Sequence, residues 1–170
     1  MQWSKLKKKV EDRFAKSVNG KVRLYSTVYS SKGSRCRCGR AWITFNGAQI
    51  VNFETIPNLN RTHRDKEPTN ECGHLAIDQD TRSPLKLAEK GEFSRFHLFD
   101  ACREILQLPI DAALSSNNPL VRGLAFLDAR AGKQRILNYR DQEAHPLALA
   151  LLEIRIAQDT KKSPNLSAAG

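Results

Sequence analysis

The fold is decided by the stretch AWITFNGAQIVNFETI at residues 41–56. Two β-rich segments, Ala41 to Phe45 and Gln49 to Ile56, are joined there through Asn46-Gly47. An Asn-Gly pair is a strong short-range signal for a tight hairpin, because both residues tolerate the positive φ that the turn needs. The stretch therefore predicts an antiparallel β-hairpin.

A third strand is predicted before the hairpin, where residues 21–30 alternate between apolar and polar side chains. One face carries Val22, Leu24 and Val28, and the other carries Arg23, Tyr25, Thr27 and Tyr29. With the hairpin, this strand makes a three-stranded antiparallel meander whose apolar face belongs to the core.

A helix is predicted ahead of the sheet. Leu6, Val10 and Phe14 recur at a spacing of four and share one helical stripe, with Ser4 as the N-cap. Asn19-Gly20 ends this helix after about Val18, since glycine readily adopts the left-handed conformation at a helix terminus.

The C-terminal half is predicted to be helical. Ser94 caps a helix with an apolar stripe that includes Cys102, a short helical piece covers Ile110 to Leu114, and Asn118-Pro119 starts another helix that Gly132 stops. The last helix, ending near Gln158, carries leucine and isoleucine around most of its circumference, which favours burial on several sides or a homodimer interface.

These elements predict an α+β fold, with the N-terminal helix on a three-stranded antiparallel meander and a helical C-terminal half. A chain of 170 residues with 40% hydrophobic and 27% charged residues fits one globular domain. We expect this single domain to span residues 1–159, and residues 160–170 to form a disordered tail.

The charge is strongly segregated. Residues 1–40 contain twelve Lys and Arg against two acidic residues, and so hold the whole formal charge of +10. A local positive segment attracts phosphates, acidic proteins or anionic lipid headgroups.

No apolar stretch typical of a secretory signal follows the basic start of the chain. The longest apolar run, Leu147 to Ala157, is too short and too charged to cross a bilayer. We therefore expect a cytoplasmic protein with no membrane partner, and reduced cysteines.

The leading candidate site is a basic surface that binds nucleic acid or an acidic protein. Lysines neutralise phosphates, and tyrosines on the polar strand face stack on unpaired bases. The candidate residues are Lys5, Lys8, Lys9, Arg13, Lys16, Arg23, Tyr25, Tyr29, Arg35, Arg37 and Arg40. The alternative is a solvated cationic surface with the tyrosines packed under a later helix.

A second candidate is a zinc site made by Cys36, Cys38, Cys72 and His74, a donor set that suits tetrahedral zinc. Each pair has only one intervening residue, shorter than in ordinary zinc knuckles, so the favoured alternative is loop cysteines without a ligand. No other cofactor is predicted. Cys102 is assigned to the core.

Catalysis is the weakest candidate. His63 with Arg61 and Arg64 offers a base and cations for a small ribonuclease, but no paired nucleophile and base supports it. The signatures of Walker nucleotidases, dinucleotide enzymes, serine hydrolases and zincins are absent from the sequence. The polar cluster around Asp128 and Arg130 is interpreted as stabilising helix ends.

The chain resembles a family of small, functionally uncharacterised bacterial proteins over residues 1–56 and 90–137. The resemblance is carried by Trp3-Ser4-Lys5-Leu6-Lys7-Lys8, Glu11-Asp12-Arg13-Phe14, Tyr25-Ser26-Thr27, Trp42-Ile43-Thr44, Asn118-Pro119-Leu120-Val121-Arg122, Leu127-Asp128 and Gly132-Lys133. It implies no activity, ligand or catalytic residue.

The sequence thus favours a non-enzymatic, intracellular bacterial protein that binds nucleic acid or another polyanion through its basic N-terminal surface. The first alternative is a protein-interaction module, such as an inhibitor, immunity or adaptor protein, that docks an acidic partner or dimerises. The second alternative is a small ribonuclease.

Overall fold

The computed structural model of the protein describes residues 1–29, 38–62, 87–89 and 91–161. The elements in chain order are α1 (Trp3–Glu11), β1 (Val22–Val28), β2 (Gly39–Phe45), β3 (Ala48–Glu54), α2 (Thr55–Thr62), α3 (Arg95–Gln107), α4 (Ile110–Leu114), α5 (Pro119–Leu127), α6 (Lys133–Leu137) and α7 (Pro146–Lys161). The strands form one antiparallel sheet in the order β1-β2-β3. The predicted α+β class is confirmed.

The chain divides into two compact units, one within Met1–Lys7 and Lys21–Asp100 and the other within Lys8–Gly20 and Ala101–Gly170. The first unit contains the sheet, and the second contains α4 to α7. Helices α1 and α3 run through the points of division.

In the first unit, the alternation of β1 and β2 produces a buried apolar sheet face, as predicted, although Val28, which was predicted on that face, is 44% exposed at the end of β1. Its fully buried members include Val22, Leu24, Ala41, Ile43, Val51 and Phe53. The hairpin turns at Asn46 and Gly47, whose φ angles are 50° and 83°. A bulge between Ile43 and Thr44 shifts the β2-β3 register.

Helix α1 is shorter than predicted, because it ends at Glu11 instead of Val18. In the second unit, the Ala15 amide donates to the Leu127 carbonyl, and the Ala129 amide donates to the Arg13 carbonyl. This pairing of two chain segments satisfies backbone groups that a longer helix would use internally. The three apolar residues of the predicted stripe, Leu6, Val10 and Phe14, are nevertheless all buried.

The predicted end of the third strand was wrong, since β3 stops at Glu54 and Thr55 and Ile56 begin helix α2. The Thr55 hydroxyl donates to the Gly39 carbonyl, and the Asn58 amide donates to the carbonyls of Gly91 and Glu92. These are long-range contacts that local pattern does not encode.

Helices α4 and α5 of the second unit begin where their signals predict, whereas α6 was not predicted. The Asn118 side chain accepts from the Leu120 amide at the start of α5, with Pro119 in the first position, as predicted. Helix α5 ends at Leu127, before Gly132, because Asp128 is extended and pairs with Phe14. Helix α7 continues through Lys161, so Thr160 and Lys161 are helical and not part of a tail.

Helix α7 buries one stripe, and not most of its circumference. The stripe consists of Leu147, Ala148, Leu151, Leu152, Arg155 and Gln158. A Cβ atom built on Gly123 of α5 would stand 2.8 Å from the Leu151 Cδ1 atom, so glycine allows α5 and α7 to pack closely.

Candidate functional site

The polar face of the sheet in the first unit is the strongest candidate site. The register places Tyr25, Trp42 and Asn52 side by side across the three strands. Because side chains alternate along a strand, the residues two positions away share this face. They are Arg23 and Thr27 on β1, Arg40 and Thr44 on β2, and Glu54 on β3.

Two aromatic rings lie at the centre of this face. The centroids of Tyr25 and Trp42 are 5.2 Å apart, and the ring planes differ by only 10°. Tyr25 is 37% exposed, which places it among the exposed large hydrophobic residues of the described part of the chain. The two neighbouring strands therefore present a parallel aromatic pair.

Each ring carries a cation. The Lys7 Nζ atom lies 4.4 Å from the Tyr25 centroid, and the Arg40 Cζ atom lies 4.1 Å from the Trp42 centroid. Cations in this position are attracted by the negative π face, at about 0.5–1 kcal/mol for exposed sites. We call Lys7, Tyr25, Trp42 and Arg40 the cation–aromatic row.

Arg40 reaches along β2. Its backbone lies opposite Glu54, but its Nη1 atom donates to the Gln49 Oε1 atom at 3.4 Å, near the other end of the paired strands. The guanidinium therefore crosses the face at the level of the Trp42 and Asn52 pair. No salt bridge holds Arg40 among the described residues.

Two polar atoms next to Trp42 lack partners. The Asn52 Oδ1 and Thr44 Oγ1 atoms are buried and have no hydrogen-bond partner within the described part of the chain. The Asn52 Nδ2 atom donates to the Glu54 Oε1 atom at 2.8 Å. Buried polar atoms without partners are rare in folded proteins and call for an explanation.

The predicted basic surface is divided between the two units. Lys5, Arg23, Tyr25 and Arg40 belong to the first unit, and only Tyr25 and Arg40 of these belong to the row. Tyr29 is also in the first unit, where its hydroxyl oxygen is buried and its backbone amide donates to the Cys38 carbonyl.

The other predicted binding residues lie elsewhere. Lys8, Lys9 and Lys16 are exposed in the second unit, and the Arg13 Nη1 atom there donates to the Ile105 carbonyl. Arg35 and Arg37 lie outside the described residues.

Lys7 and Trp42 were not among the binding residues predicted from the sequence. Trp42 follows the same alternation as its neighbours. Its pairing with Tyr25, however, depends on the β1-β2 register, and the sequence between these two strands contains no Asn-Gly turn that would fix that register. Lys7 was passed over because helical spacing alone does not show which lysine reaches a strand side chain. Both residues are defined by tertiary contacts.

The zinc prediction remains untested. Cys36, Cys72 and His74 lie outside the described residues, and Cys38 is buried. Within the described ranges, no three His, Cys, Asp or Glu side chains gather closely enough to hold a metal ion. His63 and Arg64 of the ribonuclease alternative also lie outside these ranges.

Cys102 belongs to the core, as predicted, and is fully buried. Burial, reinforced by the Glu11 carboxylate and opposed by Arg103, raises the pKa of the Cys102 thiol to about 12. The thiol therefore stays protonated and unreactive near neutral pH, because the thiolate is the nucleophile.

The polar cluster around Asp128 stabilises helix ends. Asp128 is 2% exposed and pairs with Arg130 at 2.8 Å, while Arg130 also donates to the carbonyls of Ile105 and Leu108 at the end of α3. Cations at a helix C-terminus satisfy its last carbonyls and oppose its negative pole. This arginine serves the fold of the second unit.

The geometry thus defines an α+β protein whose antiparallel sheet presents a row of aromatic and cationic side chains. The chain belongs to the SF0329 protein family, whose model matches residues 2–156. That is an uncharacterised family, so membership brings no activity or ligand with it. No curated protein and no solved structure matches the chain.

The family match extends beyond the two stretches of the sequence resemblance, since it also spans residues 57–89 and 138–156. In the part of the chain that the structure describes, every helix is too short or too polar to cross a membrane.

Proposed function

We propose that the protein binds single-stranded nucleic acid through the cation–aromatic row. The observation that carries the proposal is the parallel stack of Tyr25 on Trp42, with Lys7 and Arg40 each within 4.4 Å of a ring centroid. One face of the sheet thus combines the two groups that recognise unpaired nucleotides.

Each part of the row matches one part of a nucleotide. A base stacked on an aromatic side chain contributes about 1–3 kcal/mol, whichever base it is. Lysine and arginine neutralise the adjoining phosphates and release counterions. Bases within a duplex are already stacked on each other, so a stacking surface favours single strands.

The rings favour nucleic acid over an acidic protein. Aspartate and glutamate would pair with Lys7 and Arg40, but their negative charge is repelled by the π faces of Tyr25 and Trp42. An acidic partner therefore uses the cations without the rings, whereas a nucleotide uses both.

Fluorescence anisotropy tests the proposal directly. Labelled single-stranded RNA and DNA of about 12 nucleotides, within the usual site size, are titrated with the protein at about 50 and 200 mM salt. We expect binding that weakens steeply with salt, and a preference for single strands over a duplex of the same sequence.

Trp42→Ala supplies the matched test of the stack. We expect affinity to fall at least about fivefold, the lower limit for removing one stacked aromatic ring. Phe96→Ala is the control, since Phe96 is an aromatic side chain 39% exposed and outside the row. The proposal is wrong if no oligonucleotide binds at low salt, if the duplex binds more tightly, or if both variants behave alike.

A further inference from the structure

We infer that Asn52 reads the exocyclic amino group of an unpaired base stacked on Trp42, so that the site prefers cytosine and adenine to uracil and thymine. The inference rests on the proposed function. Its starting point is the pair of buried atoms without partners, Asn52 Oδ1 and Thr44 Oγ1, on the same face as the row.

The register puts both residues next to the stacking ring. Asn52 lies directly across from Trp42 in the β2-β3 ladder, and Thr44 is two residues along β2. Directly opposed side chains in an antiparallel pair have Cβ atoms about 4.5–5.5 Å apart. The edge of a base that lies on the indole therefore comes within reach of these two side chains.

The hydrogen bond that Asn52 already makes determines which groups of a base its side chain can bind. Its Nδ2 atom is held by the Glu54 carboxylate at 2.8 Å, so Oδ1 remains as an acceptor only. An amino group on C4 of cytosine or C6 of adenine donates to such an atom. The carbonyl oxygen at C4 of uracil or thymine meets an acceptor beside a carboxylate and is repelled.

Thr44 completes the same edge. The Thr44 residue is 6% exposed, and its hydroxyl is both donor and acceptor. Its proton is suited to the ring nitrogen next to the amino group, N3 of cytosine or N1 of adenine. On the protein, the Asn52 Oδ1 acceptor thus faces the amino group of the base, and the Thr44 hydroxyl donor faces the neighbouring unprotonated ring nitrogen.

Arg40 must leave the ring for this contact to form. The side chain lies over Trp42 and is fixed at its far end by one hydrogen bond of 3.4 Å to the neutral Gln49 side chain. That bond is long for an N–H donor, and a cation–π contact between partly exposed side chains contributes only about 1 kcal/mol. A base displaces the guanidinium at small cost, and Arg40 then pairs with a phosphate.

The decisive comparison is oligocytidine against oligouridine RNA, because the two pyrimidines have the same ring size and differ at the edge that Asn52 would read. We expect the full chain to bind oligocytidine about three- to tenfold more tightly, the contribution of one or two net hydrogen bonds. The measurement is fluorescence anisotropy at low salt.

Asn52→Leu tests the residue itself. It removes the acceptor at similar volume, and we expect it to abolish the preference by weakening oligocytidine binding while oligouridine binding is kept. Thr27→Val is the matched control on the same face and should retain the preference. Far-UV circular dichroism and thermal unfolding verify that each variant is folded, and Asn52→Ser serves instead if the leucine variant is not.

The outcomes separate the two proposals. Equal binding of both RNAs, a uridine preference, or an unchanged preference in the folded Asn52 variant overturns the role of Asn52 while leaving single-strand binding intact. Failure of every oligonucleotide to bind at low salt overturns the proposed function and, with it, this inference.

Discussion

Arg155 is a cation inside the second unit, with only 5% of the residue exposed. Its guanidinium donates to the carbonyls of Phe126, Asp128 and Ala131, and to the Asp159 carboxylate at 2.8 Å. A buried charge is tolerated only when its hydrogen bonds are made. Arg155 thus binds the backbone at the end of α5 and just after it, which explains why a cation lies in the leucine-rich helix α7.

Replacing this arginine should be costly. We expect Arg155→Met to lower the free energy of unfolding by about 3–5 kcal/mol, because Asp159 and three carbonyls lose their donor. The measurement is urea denaturation at neutral pH. Arg140→Met is the matched control, since Arg140 pairs with Glu153 at an exposed site, 56% and 42% exposed, and should cost less than about 1 kcal/mol.

Arg122 and Glu143 form an ion pair whose carboxylate is buried. Two hydrogen bonds of 2.7 and 2.8 Å join them, and the Glu143 side chain is 2% exposed. Burial by itself raises the pKa of Glu143, but the hydrogen bonds from Arg122 and from the His145 amide outweigh burial and lower the pKa. The ionised carboxylate is therefore the form that the folded unit stabilises.

The sign of this shift predicts an acid-sensitive contribution to stability. A lowered pKa gives stability that is present above the pKa of the unfolded chain and is lost as the pH falls through the lowered value. We expect urea midpoints of the native protein to fall in acid. In Arg122→Leu, Glu143 keeps only the His145 amide as a donor against the effect of burial, so its pKa should rise, and the variant should be less stable near neutrality and respond less in acid. Parallel pH profiles for the two proteins would contradict this account.

At the scale of single elements, the β2-β3 hairpin offers a clean test of backbone conformation. Gly47 has a φ of 83°, and a Cβ atom there would meet nothing within 4 Å. We expect Gly47→Ala to cost about 1–2 kcal/mol, entirely from the left-handed backbone. Gly132→Ala is the control, because its φ is −65° and its Cβ also meets nothing. Thermal unfolding should show the difference, and equal shifts for the two variants would refute it.

Elements with local signals were predictable from the sequence. The Asn46-Gly47 turn, the alternation around Leu24 and the Asn118-Pro119 start of α5 each concern residues a few positions apart. Helix α2 and the early end of α1 were not predictable in this way. They depend on Thr55 and Asn58 reaching distant carbonyls, and on the pairing of Phe14 with Asp128.

The candidate site was predictable only in part. The sequence supplied Tyr25 and Arg40 as members of a cationic surface with aromatic side chains. Trp42 and Lys7 needed the β1-β2 register and the position of α1, and Asn52 needed the β3 register with its bulge. Charge composition thus led to the proposed kind of ligand, whereas strand pairing led to the residues proposed to bind it.

At the scale of the whole molecule, the formal charge of +10 lies entirely in the first 40 residues. Several arginines of the second unit are engaged with carbonyls and carboxylates of that unit, as Arg122, Arg130 and Arg155 show. We therefore expect the salt dependence of binding to originate in the N-terminal residues of the row.

Salt titrations of variants that lack one cation test which residues cause the salt dependence of binding. Removing one phosphate-binding cation should reduce the slope of log K against log salt by about 0.7 for a single strand. We expect that change for Lys7→Gln and for Arg40→Gln. Lys133→Gln, which removes an exposed charge from the second unit, should leave the slope unchanged. Equal slopes for all three variants would mean that net charge alone governs binding.

The Arg40 guanidinium rests on the Trp42 indole and therefore competes with any ligand that would stack on this ring. If that resting contact is favoured by about 0.5–1 kcal/mol, the open ring is the minority form, and the apparent affinity of any stacking ligand falls about three- to sixfold. Under the proposed function, we expect the same side chain to return to the ring as a nucleotide leaves, which speeds exchange. A surface built in this way is suited to brief, repeated encounters along a strand more than to long-lived capture.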